Sequence, residues 1–178
     1  MSKELCGIIN EIDNYVVDDP TKTGEHTSEN LLNRLFSYNC SNDDPKLISE
    51  FIALLTLLNS IDNKENFESD KIVEYAILWL SYKLNQKKES GTTTLNEFYT
   101  ENIKTNDCYN KHIGANTGDK IKKDVIEKKM KSMNIDINDI SNFYDAFKSL
   151  CNMYSEFDPE KSTECKTCLE TAGELFIK

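Results

Sequence analysis

The sequence is poor in the residues and motifs on which most active sites depend. Its 178 residues include two histidines, six glycines and three prolines. It contains no glycine-rich phosphate loop, no His-Glu metal motif and no nucleophile elbow. Both histidines, His26 and His112, fall in predicted loops, where a histidine is usually a solvated surface residue. We therefore predict that the chain is not an enzyme and has no catalytic residues, no metal and no cofactor.

Positive charge is also scarce. The formal net charge is −10, and Arg34 is the sole arginine among 21 basic residues. Nucleic acids and anionic membranes are bound by clustered positive charge, so we expect neither as a partner. One lysine run lies on a helix predicted over residues 119–133, and we expect a solvated face there rather than a ligand site. That run consists of Lys120, Lys122, Lys123, Lys128, Lys129 and Lys131.

Long hydrophobic runs are missing, which excludes a membrane span in this sequence. The most apolar stretch, EYAILWLSYKLNQ from Glu74 to Gln86, is shorter than the roughly 20 residues that a span needs. A helix that is apolar nearly all round is usually buried, so we predict a central bundle helix rather than a partner-binding helix. Its Trp79 should lie between the Phe51–Leu58 helix and the Phe143–Tyr154 helix. The N-terminus shows no secretory signal, so we expect either an intracellular protein or a segment excised from a longer one.

Helical periodicity accounts for most of the chain, and no strand signal, repeat or domain linker stands out. We predict an all-α, single-domain, disulfide-stapled helical bundle over residues 1–178. Thr94 and Glu97 form a capping box at the start of one helix. The residues expected to face the core on the helix over 138–157 are Ile140, Phe143, Tyr144, Phe147, Leu150, Cys151 and Tyr154. Helices are predicted over 3–16, 28–38, 45–61, 74–86, 119–133, 138–157 and after Asp158, with loops over 18–27 and 105–119.

Six cysteines leave several readings open. They are compatible with disulfides in any of fifteen pairings, with buried free thiols in a cytosolic protein, or with a zinc site. The zinc reading would use the closely spaced Cys165 and Cys168 together with Cys108 and Cys151. In the disulfide reading, an antiparallel last helix pair would bring Cys165 or Cys168 within bridging distance of Cys151. The six cysteines are Cys6, Cys40, Cys108, Cys151, Cys165 and Cys168.

The order of segments resembles the Plasmodium interspersed repeat (PIR) family of malaria parasites across essentially all 178 residues. The most specific stretches are YAILWLSYKLN and ISNFYDAFKSLCNMY. The resemblance implies an exported variant antigen at the surface of, or inside, the infected erythrocyte. It also implies that the family's C-terminal variable region and transmembrane helix are absent here, so the chain corresponds to an ectodomain. Five cysteines fall where the family pattern leads us to expect them, and Cys108 is less typical.

We expect Cys6 to pair with Cys40, and Cys151 to pair with Cys165 or Cys168, of which Cys165 is preferred; Cys108 would then take the remaining sulfur. The expected function is to bind an erythrocyte surface protein or glycan, or to present variable epitopes to host antibodies. The alternative is an intracellular helical scaffold with reduced cysteines. Within the loop over 105–119, the expected receptor-binding residues are Tyr109, Asn110 and His112. We expect a glycine-serine replacement of residues 109–116 to leave the fold intact, and we expect Asn39, in an Asn-Cys-Ser sequon, to be unmodified.

Overall fold

A computed structural model of the chain describes residues 3–15, 46–61, 68–87, 94–133 and 137–156. Every regular element in these ranges is helical, which confirms the predicted all-α class. The described residues do not include several predicted features: the loop over 18–27, the helices over 28–38 and after Asp158, the sequon residue Asn39, and the cysteines Cys40, Cys165 and Cys168. In chain order the elements are α1 (Lys3–Tyr15), α2 (Lys46–Asn59), α3 (Ser69–Lys87), α4 (Leu95–Phe98), a π-helical turn (Tyr99–Ile103), α5 (Asp107–His112), α6 (Lys123–Ser132) and α7 (Ile137–Glu156).

Helix α3 is the central helix of the described part, where it packs against α2, α6 and α7. Trp79 is fully buried, and its indole N–H donates a hydrogen bond to Asp13 Oδ1 over 2.9 Å. The prediction of a buried central helix is therefore confirmed, but the polar partner of Trp79 comes from α1. The apolar stripe of α3 is buried throughout and consists of Ile72, Val73, Ala76, Ile77, Leu80 and Leu84.

The first two helices complete this core. Helix α1 is amphipathic and packs against α2 and α7, whereas α2 is apolar over most of its circumference and packs against α1, α3 and α5. Such an all-round apolar helix is stable in water only when other helices surround it. No helix in the described ranges is both long enough and apolar enough to cross a bilayer. The buried face of α1 consists of Leu5, Cys6, Ile9 and Ile12.

Helix α7 covers α3 with a narrower stripe than its sequence predicts. Tyr144, Phe147 and Cys151 are buried as expected, but Phe143 is 64% exposed and Leu150 is 37% exposed. At 3.6 residues per turn, the predicted stripe spans roughly 120° of the helix, and Phe143 and Leu150 form one edge of it. The centre and the other edge of the stripe are covered, because Phe147 at the centre stacks on Tyr75 with ring centroids 4.6 Å apart, and Tyr144 at that edge packs against a second tyrosine of α3. The expected core positions of Phe143 and Leu150 were therefore wrong.

A disulfide between Cys6 and Cys151 joins α1 to α7 across 145 positions of sequence, with Cα atoms 5.3 Å apart. The expected pairing of Cys6 with Cys40, and of Cys151 with Cys165 or Cys168, was wrong, because α1 packs directly against α7 and brings the buried Cys6 and Cys151 together. Cys108 is also disulfide-bonded, and its partner lies outside the described residues. A zinc ligand must be a thiolate, so the oxidised sulfurs of Cys108 and Cys151 exclude the zinc reading that used them.

Candidate interaction surface

Helix α5 lies inside the segment predicted to be a long surface loop. Asn106 caps it, since its side-chain oxygen accepts a hydrogen bond from the Tyr109 N–H over 2.9 Å. Asp107 in the first turn and Lys111 in the last turn complement the helix dipole. These end signals are present in the sequence, but six residues are too few for a recognisable apolar period. The loop prediction was therefore wrong for residues 107–112.

Tyr109 is part of the core rather than of the surface. Its exposed fraction is 1%, and its hydroxyl lies 3.3 Å from the hydroxyl of Tyr99, which is also buried. The two rings meet edge to face with centroids 6.2 Å apart. Burial raises the pKa of both phenols, so both are neutral hydrogen-bonding groups at physiological pH. A glycine-serine replacement that included Tyr109 would remove this core pair, so the fold is not expected to survive it.

Asn110 and His112 lie nearer the surface than Tyr109. Asn110 is exposed, and its side-chain amide donates to the Lys104 carbonyl over 3.0 Å. His112 is half-buried, and burial together with the charge of Lys111 lowers the pKa of its imidazole. The neutral form is therefore favoured near pH 7. Receptor binding by Asn110 and His112 stays a prediction.

The segment between α5 and α6 is an ordered loop with an exposed tip. Gly114 has φ +62°, and a Cβ there would lie 3.2 Å from the Lys123 backbone nitrogen, so both the backbone conformation and the close approach favour glycine. Two hydrogen bonds close the tip: Asn116 N–H to Asp119 Oδ2 over 2.9 Å, and Asp119 N–H to the Asn116 carbonyl over 3.2 Å. The hydrogen bond from the Asn116 backbone lowers the pKa of Asp119 and keeps it ionised. Residues 115–118, hereafter the tip loop, are all exposed.

The C-terminal end of α2 supports this loop. Asn59 Oδ1 accepts hydrogen bonds from the backbone N–H groups of Lys120 and Ile121 over 2.8 and 3.0 Å. The Asn59 amide also donates to Asp119 Oδ1 over 3.1 Å, and Lys120 Nζ contacts the Ile61 carbonyl. One asparagine side chain therefore connects the loop to the core through three hydrogen bonds. A loop ordered in this way loses less conformational entropy when it binds a partner.

Lys129 of α6 forms ion pairs with two carboxylates of α3. Lys129 contacts Glu74 over 2.6 Å and Asp70 over 3.3 Å, and only 17% of its side chain is exposed. Burial would raise the pKa of Glu74, but hydrogen bonds from Lys129 and Lys71 outweigh it and lower that pKa. The expectation of a solvated lysine was wrong for Lys129, because this side chain joins α6 to α3.

Glu127 of α6 is shared by two lysines. Lys131 and Lys104 both contact its Oε1, over 3.0 and 3.1 Å. These contacts, with Lys131 the larger cause, lower the pKa of Glu127. Lys123 lies one turn before Glu127 on α6. Its Nζ donates to the Asn110 carbonyl over 2.8 Å and lies 5.9 Å from the ring centroid of Tyr109. The surface around Lys104, Lys123 and Lys131 is hereafter the cationic face.

A second polar cluster connects α1, α3 and α7. Asp13 accepts hydrogen bonds from Trp79 Nε1 over 2.9 Å and from the Tyr144 hydroxyl over 3.0 Å. Lys83 Nζ lies 3.5 Å from the same carboxylate, and Lys148 Nζ contacts it as well. The sequence analysis did not predict this cluster. The available signal was a charged residue beside the apolar stripe of each helix: Asp13 on α1, Lys83 on α3 and Lys148 on α7. The arrangement joins three helices and forms a structural network.

The comparisons with known proteins agree with this fold. The family model for the Plasmodium variant antigen protein Cir/Yir/Bir matches residues 6–178. A solved Plasmodium PIR protein ectodomain is 36% identical, with a TM-score of 0.69, and the match covers 97% of this chain and 75% of that one. No match is found among curated proteins. The chain therefore belongs to the Plasmodium variant antigen family Cir/Yir/Bir, as the resemblance of its segments predicted.

Proposed function

We propose that this chain is the ectodomain of a variant surface antigen that binds a molecule of the erythrocyte surface, presents variable epitopes to host antibodies, or does both. Membership of a variant antigen family supports the proposal. The buried Cys6–Cys151 disulfide supports an oxidising environment, since such bonds are rare in reducing compartments. In the native protein a C-terminal membrane segment, as the family resemblance implies, would attach the domain to the infected cell. Localisation of the tagged full-length protein tests that part.

The observation that carries the proposal is the separation between core and tip loop. The helices bury their apolar faces against one another, whereas residues 115–118 are exposed and rest on hydrogen bonds made by Asn59 and Asp119. Substitutions in an exposed loop of this kind cost little stability, so sequence can vary there without loss of the fold. Because these hydrogen bonds hold the tip loop in one conformation, the loop presents a defined shape to a receptor or an antibody.

The test replaces the tip loop and leaves α5 intact. Residues 115–118 are changed to a glycine-serine segment of equal length, while Gly114 and Asp119 are retained. The matched control changes the exposed Asn142 and Asn152 of α7 to serine. We expect the loop variant to keep its circular dichroism spectrum and thermal midpoint but to lose erythrocyte binding or recognition by antisera raised against the native domain. Unchanged binding and unchanged recognition in the loop variant would refute the assignment.

The competing function is an intracellular scaffold with reduced cysteines. A count of free thiols on denatured, unreduced protein separates the two. The proposal expects Cys6, Cys108 and Cys151 to be unavailable to a thiol reagent, as their disulfides require. Stoichiometric labelling of these three cysteines in protein taken from parasite-infected cells would favour the scaffold.

A further inference from the structure

The acidic chain contains one segment whose charge is reversed. Residues 104–131 contain eight lysines against four aspartates and glutamates, a formal charge of +4 in a chain of net charge −10. The remainder of the chain therefore carries −14. This segment comprises α5, the tip loop and α6, which lie next to one another on the surface. The average charge of the whole chain conceals this local reversal, which is a usual sign of a charged interaction surface.

Internal ion pairs leave part of this positive charge uncompensated. Lys129 is neutralised by carboxylates of α3, but Lys104 and Lys131 share the single carboxylate of Glu127. Lys123 contacts uncharged oxygens of Asn110 instead of a carboxylate. In the same way, Lys122 Nζ at the base of the tip loop donates to the backbone carbonyls of residues 116 and 117, each over 3.3 Å. The cationic face therefore presents more positive charge than the carboxylates of the described residues balance.

The charged side chains of this face include a row along α6, in which the carboxylate of Glu127 lies between two amines. Lys123, Glu127 and Lys131 follow i, i+4, i+8 spacing, so they share one flank of α6. At 1.5 Å per residue, the row extends over about 12 Å. Lys104, the residue after the π-helical turn, also contacts Glu127, and 50% of its side chain is exposed, compared with 64% for Lys131. Amines spaced along the flank of a helix suit an extended molecule with several negative charges better than a single small anion.

The chemistry of the face favours a carbohydrate over a protein partner. Protein interfaces depend on buried aromatic and arginine side chains, and Arg34 is the sole arginine of the chain. The large hydrophobic side chains that are exposed among the described residues, Phe143 and Leu150, both lie on α7. The cationic face offers amines next to the exposed amide of Asn110, which are groups that bind acidic groups and sugar hydroxyls. Lysine-rich segments are typical of heparin-binding sites.

We propose that the cationic face binds acidic glycans, through sulfate esters or sialic acid carboxylates. The inference rests on the proposed function and specifies the chemical class of its host partner. Binding of this kind depends on charge, so it should weaken as added salt screens the exposed amines. The tip loop then contributes shape and the cationic face contributes affinity for negative charge.

The experiment uses the 178-residue chain and measures its binding to immobilised heparin and to immobilised polysialic acid at low and at physiological ionic strength. The variants are Lys131→Gln and Lys104→Gln. The matched control is Lys71→Gln, because Lys71 also makes one helix-surface ion pair over 3.1 Å and is 57% exposed, but lies on α3. We expect each of the two variants to weaken binding by about two- to five-fold, and the control to leave it unchanged. Binding to heparin alone identifies sulfate esters as the ligand group, and binding to polysialic acid alone identifies carboxylates.

Three results would overturn the inference: no binding to either glycan, an equal loss in Lys71→Gln, or equal binding to phosphatidylserine vesicles, which would indicate general attraction to anions. These outcomes are independent of the erythrocyte and antibody assays. A tip-loop variant that loses erythrocyte binding while the wild-type chain ignores both glycans leaves the proposed function standing and removes only the glycan inference. Glycan binding without any erythrocyte binding or antibody recognition leaves the glycan site standing and removes the proposed function.

Discussion

Removal of the Asp13 carboxylate should destabilise the domain more than any surface change on α1. Asp13 accepts hydrogen bonds from Trp79 and Tyr144, and both donors are nearly or fully buried. Hydrogen bonds to a charged group contribute about 1.5–3 kcal/mol each, so two of them set a range of about 3–6 kcal/mol. Asp13 is 16% exposed and Lys148 is 28% exposed, so water can replace part of the lost interaction. We therefore expect Asp13→Ala to lower the free energy of unfolding by about 3–4 kcal/mol.

Urea denaturation followed by tryptophan fluorescence and by circular dichroism measures this cost. Trp79 is the only tryptophan, so its emission reports directly on the cluster that has been changed. The control is Glu11→Ala, an exposed position on the same helix, which should change stability by no more than about 0.5 kcal/mol. Asp13→Asn keeps one oxygen acceptor without the charge, and it should cost about half as much as the alanine variant. It remains measurable if the alanine variant fails to fold.

The result that would refute the reasoning is a small effect. If the unfolding free energy of Asp13→Ala stays within about 1 kcal/mol of the wild-type value, or matches that of Glu11→Ala, the carboxylate does not support the junction of α1, α3 and α7. A preserved stability together with a red-shifted Trp79 emission would show that water had replaced the carboxylate at no cost. A large loss in Asp13→Asn equal to that of Asp13→Ala would assign the effect to the charge contacts with the two lysines rather than to the indole and phenol hydrogen bonds.

Three further predictions concern the core, the disulfide and pH. Trp79→Ala should cost about 3–5 kcal/mol as a large aromatic truncation, and native Trp79 should emit at short wavelength and resist quenching by iodide. Replacing both Cys6 and Cys151 by alanine opens a loop with a sequence separation of 145, and it should cost about 2–5 kcal/mol, with the upper end given by the chain-entropy model. Denaturant midpoints of the double variant test this, and a cost below about 1 kcal/mol would contradict it. The pKa of His112 is lowered in the folded state, so the unfolded chain takes up its proton first, and stability should fall as pH drops below about 6.5 until the folded pKa is passed. Thermal midpoints above and below that pH should therefore fall less in His112→Asn than in the wild type, and equal slopes would contradict the assignment.

Much of the fold is encoded in local patterns of the sequence. The all-round apolar stretch of α3 predicted its burial and that of Trp79, because such a helix is stable only when surrounded. The capping box of Thr94 and Glu97 is present with both hydrogen bonds, since it depends only on residues three positions apart. The order of segments also indicated the family, which the comparisons confirm. These features share one property: the information that determines them lies within one helix or in the order of helices.

The tertiary structure decided which distant residues meet. Cys6 pairs with Cys151 because α1 packs on α7, and no periodicity within either helix specifies that contact. The packing of α1 and α7 around α3 also brings the carboxylate of Asp13 to Trp79, and it covers part of the α7 stripe while Phe143 stays exposed. Tyr109 became a core residue because a six-residue helix, too short to show a period, turned it inward. Local propensity determines that a helix forms and which broad face is apolar. Contacts with other helices determine which part of that face is covered and what its polar residues bind, so the disulfide, the Asp13 cluster and the cationic face became visible only in three dimensions.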